Sequence, residues 1–168
     1  MTPKRGNRRR GSSTLEFTLV GIPLIFVLIS TFEMARGMWN YHTIAYAVKE
    51  GTRYASVHGN NCAAPNTCQI TIAQITQKIL DNGIGLPPNQ LRLTFTSQSG
   101  TISNYASTLL LNNTVWPSSP GNAVGSAIQI DATYPFTSAI SMFWPGAGSG
   151  VNFGTVTFPA SSRETVQF

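Results

Sequence analysis

The chain has 168 residues, 42% hydrophobic and only 10% charged, which suits one compact domain plus an anchor and excludes two full domains. Its formal charge of +5 is concentrated: five of the eleven Lys and Arg (Lys4, Arg5, Arg8, Arg9, Arg10) precede Gly11, where no acidic residue occurs. Beyond Gly11 six basic and six acidic residues cancel, and a neutral body with no basic patch argues against a nucleic-acid partner.

Residues 12–32 follow as an almost uncharged run, about 31 Å long as a helix against a hydrocarbon core of about 30 Å. Apolar residues from Leu15 to Ile29 surround the helix instead of forming a stripe, as in a segment solvated by lipid or by other apolar helices. Gly21 and Pro23 are both tolerated in a spanning helix. Basic residues precede the run and only Arg36 follows closely, so the N-terminus is expected in the cytoplasm and the rest translocated. A secretory signal peptide is the alternative. Its cleavage needs small residues, and Ser30-Thr31-Phe32-Glu33-Met34-Ala35 supplies bulky and charged ones. Glu16 stands out at the mouth of the run. A carboxylate beside hydrocarbon is expensive and marks a functional position, unless it sits at headgroup level and faces water.

No proline lies between Glu33 and Val57, and Ala35, Met38, Tyr41, Ala45, Val48, Thr52 and Ala55 recur at helical spacing. The helix is therefore expected to continue, with Glu33–Arg36 and Glu50–Arg53 as i,i+3 pairs and His58-Gly59-Asn60-Asn61 as its stop. One helix of about 45 residues results, its lower half in lipid and its upper half projecting.

Arg10-Gly11-Ser12-Ser13-Thr14-Leu15-Glu16-Phe17 resembles the processing site of the TadE-like pseudopilins of the tight-adherence (Flp-type) pilus system. Pro23 within the apolar run and Phe32-Glu33-Met34-Ala35-Arg36-Gly37 are similar to the same family. So is Ala47-Val48-Lys49-Glu50-Gly51-Thr52-Arg53-Tyr54-Ala55, with Thr52 where alanine is usual. The resemblance covers about the first 58 residues; Tyr134-Pro135-Phe136 and Ala160-Ser161-Ser162-Arg163-Glu164 add only short strings. It implies that a type IV prepilin peptidase cuts after Gly11, leaving Ser12 as the mature N-terminus and Glu16 as the fifth mature residue. Glu16 and Phe17 would then dock the subunit. A small residue before the scissile bond fits an intramembrane aspartyl peptidase, and the new α-amine can pair with the Glu16 carboxylate of a neighbour. The implied partners are that peptidase, other pilins and pseudopilins, and inner-membrane pilus assembly proteins. The implied location is a bacterial inner membrane. The runner-up is an uncleaved, single-pass anchored scaffold or binding module outside the cytoplasm, in which the basic cluster sets only topology.

Cys62 and Cys68 fall in a Pro/Asn-rich loop and, outside the cytoplasm, read as a disulfide that staples a turn. A metal would need two further ligands, and His42 and His58 lack the usual spacing. Ile72, Ile75, Ile79 and Leu80 mark an amphipathic helix ended by Asn82-Gly83. Three alternating runs follow, at 91–96, at 128–134 and at 151–158, the last with a change of phase near Gly154 that suggests a bulge. Residues 97–126 and 137–150 read as loops. Trp116, Phe143 and Trp144 within them form either a contact patch or, on the simpler reading, plugs for a small core. Asn112-Asn113-Thr114 fits a glycosylation triplet, a weak signal.

No catalytic motif and no phosphate-cradling loop is present, and Asp81, Asp131 and Glu164 are the outer domain's only carboxylates, so no enzyme, metal or cofactor is expected. The expected architecture is α+β: a long N-terminal helix, transmembrane then projecting, carrying a small antiparallel sheet with a second helix. Its divisions are a basic cytoplasmic leader at 1–11, a transmembrane helix at 12–32, its projecting continuation at 33–58 and an extracytoplasmic domain at 59–168.

Overall fold

The computed structural model describes residues 12–61, 68–138 and 155–168. Helix α1 (Ser12–Ser56) runs unbroken for 45 residues, through Pro23. Helix α2 (Ile72–Asn82) follows, then β1 (Arg92–Ser97), β2 (Gly100–Tyr105), a four-residue helix α3 (Ala106–Leu109), β3 (Ala127–Thr137) and β4 (Thr155–Thr165). The strands form one sheet in the order β2-β1-β3-β4, with every neighbour antiparallel. This is the expected α+β arrangement.

The sheet's inner face follows from alternation. Leu93 and Phe95 of β1 lie opposite Ala132 and Ile130 of β3, and all four are buried. Tyr134 and Phe136 continue the buried row along β3. Pro135 falls beyond the end of the β1–β3 ladder, which stops at Arg92–Thr133, so its missing N–H interrupts no pairing with β1. Pro159 lies in β4, an edge strand, where a missing donor is tolerated. Trp116 meets Phe95 edge to face with ring centroids 5.1 Å apart and is only 2% exposed, so it fills the core.

Several expectations need correction. The 97–126 segment is not all loop: it contains β2 and α3. β2 is a Ser/Thr/Asn-rich edge strand with only Ile102 turned partly inward, so it carries no hydrophobic alternation to read. The third run extends to Thr165, well past Phe158, because β4 pairs with the whole of β3. The bulge near Gly154 lies outside the described residues. The helical stripe is also out of phase in its lower part. Ala35, Met38, Tyr41 and Ala45 are exposed, while the buried face of α1 runs through Gly37, Ile44, Ala47, Val48, Gly51, Thr52 and Ala55.

That buried face explains the Glu50-Gly51 pair in the sequence. A Cβ on Gly51 would overlap Cγ1 of Ile79 on α2 and lie 2.8 Å from its Cδ1. Ile79 is itself fully buried and has nowhere to swing. Glycine is what lets the two helices touch. Helix α2 is fixed at its N-terminus by a capping box in which Thr71 Oγ1 accepts from Gln74 N and Gln74 Oε1 accepts from Thr71 N. At its other end the N–H of Gly83 donates to Leu80 O, as the Asn82-Gly83 stop requires.

The C-terminus of α1 is closed by the end of the chain. The N–H of Gln167 donates to Ser56 O at 2.8 Å, satisfying a last-turn carbonyl. Gly59 lies under this tail, where a Cβ would overlap Phe168 O.

Overpacking at a closed helix contact costs about 1–3 kcal/mol, against at most about 1 kcal/mol gained by replacing glycine inside a helix. Gly51→Ala is therefore expected to lower stability in chemical denaturation. Combined with Ile79→Ala, which removes both Cγ1 and Cδ1, the loss should be smaller than the sum of the two single changes.

Candidate functional site

The candidate docking residues lie along α1, which is divided between two surroundings. From residue 14 to residue 36 no position is buried; Gly37 is the first that is. Phe17, Leu19, Ile22, Phe26 and Phe32 are all more than half exposed, as no globular domain in water would leave them. The polar side chains here look after themselves. Thr18, Ser30 and Thr31 each donate at 2.8 Å to the carbonyl four residues back, to Thr14 O, Phe26 O and Val27 O. A helix with its hydroxyls satisfied internally and an apolar exterior is long and apolar enough to cross a bilayer.

Glu16 lies near the start of this exposed length, on the helix surface beside Leu15 and Phe17. Ser12 is the first helical residue described, and Ser12 and Glu16 are one turn apart on the same helix face. Next to Glu16, Leu15, Thr18, Leu19, Ile22 and Pro23 line an open apolar groove of about 390 Å³. Gly11 and the basic residues Lys4, Arg5, Arg8, Arg9 and Arg10 lie outside the described residues, as do Cys62, Phe143 and Trp144. Cys68 precedes α2, partly buried, and no free cysteine occurs among the described residues.

Where α1 leaves its exposed length, the outer domain begins at once. Nη2 of Arg36 donates to Glu33 Oε2 at 3.0 Å and to Thr137 O, the last carbonyl of β3, at 2.6 Å. Its guanidinium stands 4.7 Å from the centre of the Phe136 ring. Phe136 stacks on Phe158 of β4 at 5.3 Å, and Phe158 meets Tyr41 edge to face at 6.1 Å. The sheet thus reaches down to the fourth residue after Phe32, so the upper part of α1 is not a bare projecting stalk. Of the two expected helical ion pairs, Glu33–Arg36 is present; Glu50 and Arg53 form none among the described residues. An exposed i,i+3 pair is worth only a few tenths of a kcal/mol, too little to impose one geometry.

Met34, Gly37, Met38 and Tyr41 of α1, with Val156 and Phe158 of β4, line a groove of about 600 Å³ at this junction. The sequence had no signal for it, because it combines residues about 120 positions apart. Elsewhere the polar groups serve structure. Asp81 accepts from Gln77 Nε2, Asp131 from Gln129 Nε2, and Asn112 Oδ1 from the N–H of Thr114. Among the described residues no three His, Cys, Asp or Glu come together as a metal site would need.

These features define a class: single-helix anchored proteins in which one helix serves both a bilayer and a folded domain. The family model described as TadE-like protein matches residues 11–53, from Gly11 to three residues before the end of α1. Over that stretch, less than half of the chain, the protein is similar to TadE-like proteins of the tight-adherence pilus system. The sheet domain lies beyond it. No curated protein and no solved structure matches the chain.

Arg36 ties the end of the sheet to α1 by two contacts, to Thr137 O and to the Phe136 ring, whereas Glu33 contributes one ion pair of the partly exposed kind within α1. Arg36→Ala is expected to destabilise the protein by about 1–2 kcal/mol through its charged hydrogen bond and its ring contact. Glu33→Gln should cost less than about 1 kcal/mol. Thermal unfolding in detergent micelles checks the order.

Proposed function

We propose that the protein is a membrane-anchored pseudopilin that takes part in assembling a tight-adherence pilus. It sits in the inner membrane with its N-terminus cytoplasmic and its sheet domain outside, and a prepilin peptidase cuts it after Gly11. The observation that carries this reading is the family match over 11–53, which begins at Gly11 and covers the exposed apolar half of α1.

The chemistry of the first turns gives the cut a purpose. Hydrolysis of the Gly11–Ser12 peptide bond leaves a carboxylate on Gly11 and an α-amine on Ser12. Before the cut, lateral docking of α1 would draw Lys4, Arg5, Arg8, Arg9 and Arg10 toward hydrocarbon, at about 2.5–3.5 kcal/mol for each Lys or Arg carried to the centre of a span. After it, one positive charge remains, and Glu16 offers the matching negative one. The amine of one subunit and the Glu16 carboxylate of its neighbour neutralise each other, which lets the apolar surfaces around Leu15, Phe17 and Leu19 pack together. Glu16 is therefore a docking charge and Phe17 part of the docking surface. A bridge between Cys62 and Cys68, in an oxidising compartment, closes the loop between α1 and α2.

Intact mass after co-expression with the peptidase tests the reading. The expected mature protein begins at Ser12, Gly11→Leu blocks the cut, and reduction adds two hydrogens if the cysteines are bridged. Glu16→Leu is expected to leave an inserted, processed protein that fails to support pilus assembly. Retention of residues 1–11 in the presence of active peptidase would sink the proposal and favour the uncleaved anchored module.

A further inference from the structure

The sixteen residues between Glu16 and Glu33 make about 24 Å of helix, short of a hydrocarbon core of about 30 Å. The bilayer must therefore take in residues beyond one of these two carboxylates. At the outer end the structure is prepared for it. Glu33 is paired with Arg36, and Arg36 is further held by Thr137 O and the Phe136 ring. A pair neutralised and hydrogen-bonded in this way is what an interfacial position demands. Twenty residues from Phe17 make about 30 Å and end at Arg36, at the start of a headgroup layer about 5–7 Å thick. The sheet end bonded to Arg36 is therefore at headgroup depth.

The surface found there is apolar and aromatic. Met34 is 71% exposed, Met38 57% and Val156 55%; Trp39, 63% exposed, stands at the same level on another face of α1. The groove of Met34, Gly37, Met38 and Tyr41 opens on the same face of α1 as Ser30, so it continues the surface of the apolar span. Residues 134–137 and 155–158, the facing ends of β3 and β4, include no charged side chain. Side chains on a helix lean toward its N-terminus, so Trp39 and Tyr41 lean back toward the span. Trp and Tyr are the residues that favour the bilayer–water boundary.

We propose that this end of the outer domain is seated in the lipid interface. Met34, Met38, Trp39 and Tyr41 of α1 and Val156 of β4 contact headgroups and upper acyl chains, and the sheet rests on the membrane as a second point of attachment. The proposal rests on the reading that α1 spans the bilayer. Lipid is the occupant because the groove is continuous with the span, lies at headgroup depth and has its one ion pair already neutralised.

The test uses the full chain in phosphatidylcholine vesicles, with lipids brominated either near the headgroup or near the acyl-chain ends as fluorescence quenchers. Trp39→Phe/Trp144→Phe leaves the core Trp116 alone as the unquenched control, and Val156→Trp in that background puts a reporter on the sheet end itself. The proposal expects shallow bromines to remove most of the emission added by Val156→Trp and deep bromines to remove less. A Phe26→Trp change in the same background reports on the span and should be quenched most by the deep lipid. If the Phe26→Trp reporter is quenched and the Val156→Trp reporter is not, the seating is wrong and the anchor stands. If neither is quenched, the spanning helix and the seating fall together. Val156→Trp emission that ignores bromine but varies with protein-to-lipid ratio would mean a second copy covers the surface, and would also overturn the proposal.

Discussion

One helix has to satisfy two solvents, and the rest of the structure is arranged around that requirement. A backbone in hydrocarbon must meet all its hydrogen bonds internally, which an unbroken helix does and a loop cannot. By running α1 without interruption from Ser12 to Ser56, the chain needs no exposed joint between membrane and domain. What changes along α1 is only what surrounds it: no described position is buried as far as residue 36, and from Gly37 onward one face is.

The change of surroundings is achieved by small residues and one arginine. Gly51 lets α2 approach the helix axis, and the rings of Phe136 and Phe158 pack over Gly37; Ala47, Thr52 and Ala55 keep the intervening contacts close. Arg36 marks the boundary, reaching from α1 to the last carbonyl of β3 while its charge is met by Glu33. The outer domain is consequently clamped to the helix along most of its upper length. Motion of the domain relative to the bilayer becomes tilting of α1 itself.

Much of this was legible in the residues, because it rests on features that are local in sequence. Uncharged length announced the span, the absence of proline from Glu33 to Val57 announced the continuation, and the spacing of Ile72, Ile75 and Ile79 announced α2. Alternation located β1 and β3 for the same reason. Where the reading failed, the deciding partner was distant. β2 is held by its ladder to β1 and buries almost nothing, so its composition looks like loop. Met38 and Tyr41 are apolar and suggest a stripe on α1, yet both are exposed and the buried face passes through Gly37 and Gly51. A glycine adds nothing to a hydrophobic pattern, and at Gly51 it is what allows the contact with Ile79. The candidate site divides the same way. Glu16 was visible as a charge at an apolar run, whereas the groove between α1 and β4 exists only once the chain has folded back on itself.

The central claim is that α1 changes its surroundings near Gly37, and hydrogen exchange along the helix in lipid nanodiscs measures it most directly. With increasing urea, amides of residues 37–56 are expected to lose protection together with the sheet, while those of residues 14–36 remain protected by the bilayer. A boundary well above Gly37, near Tyr46 for instance, would mean a bare stalk. Loss of all α1 protection in one step with the sheet would mean that no part of the helix is held by lipid. Either result would contradict the account.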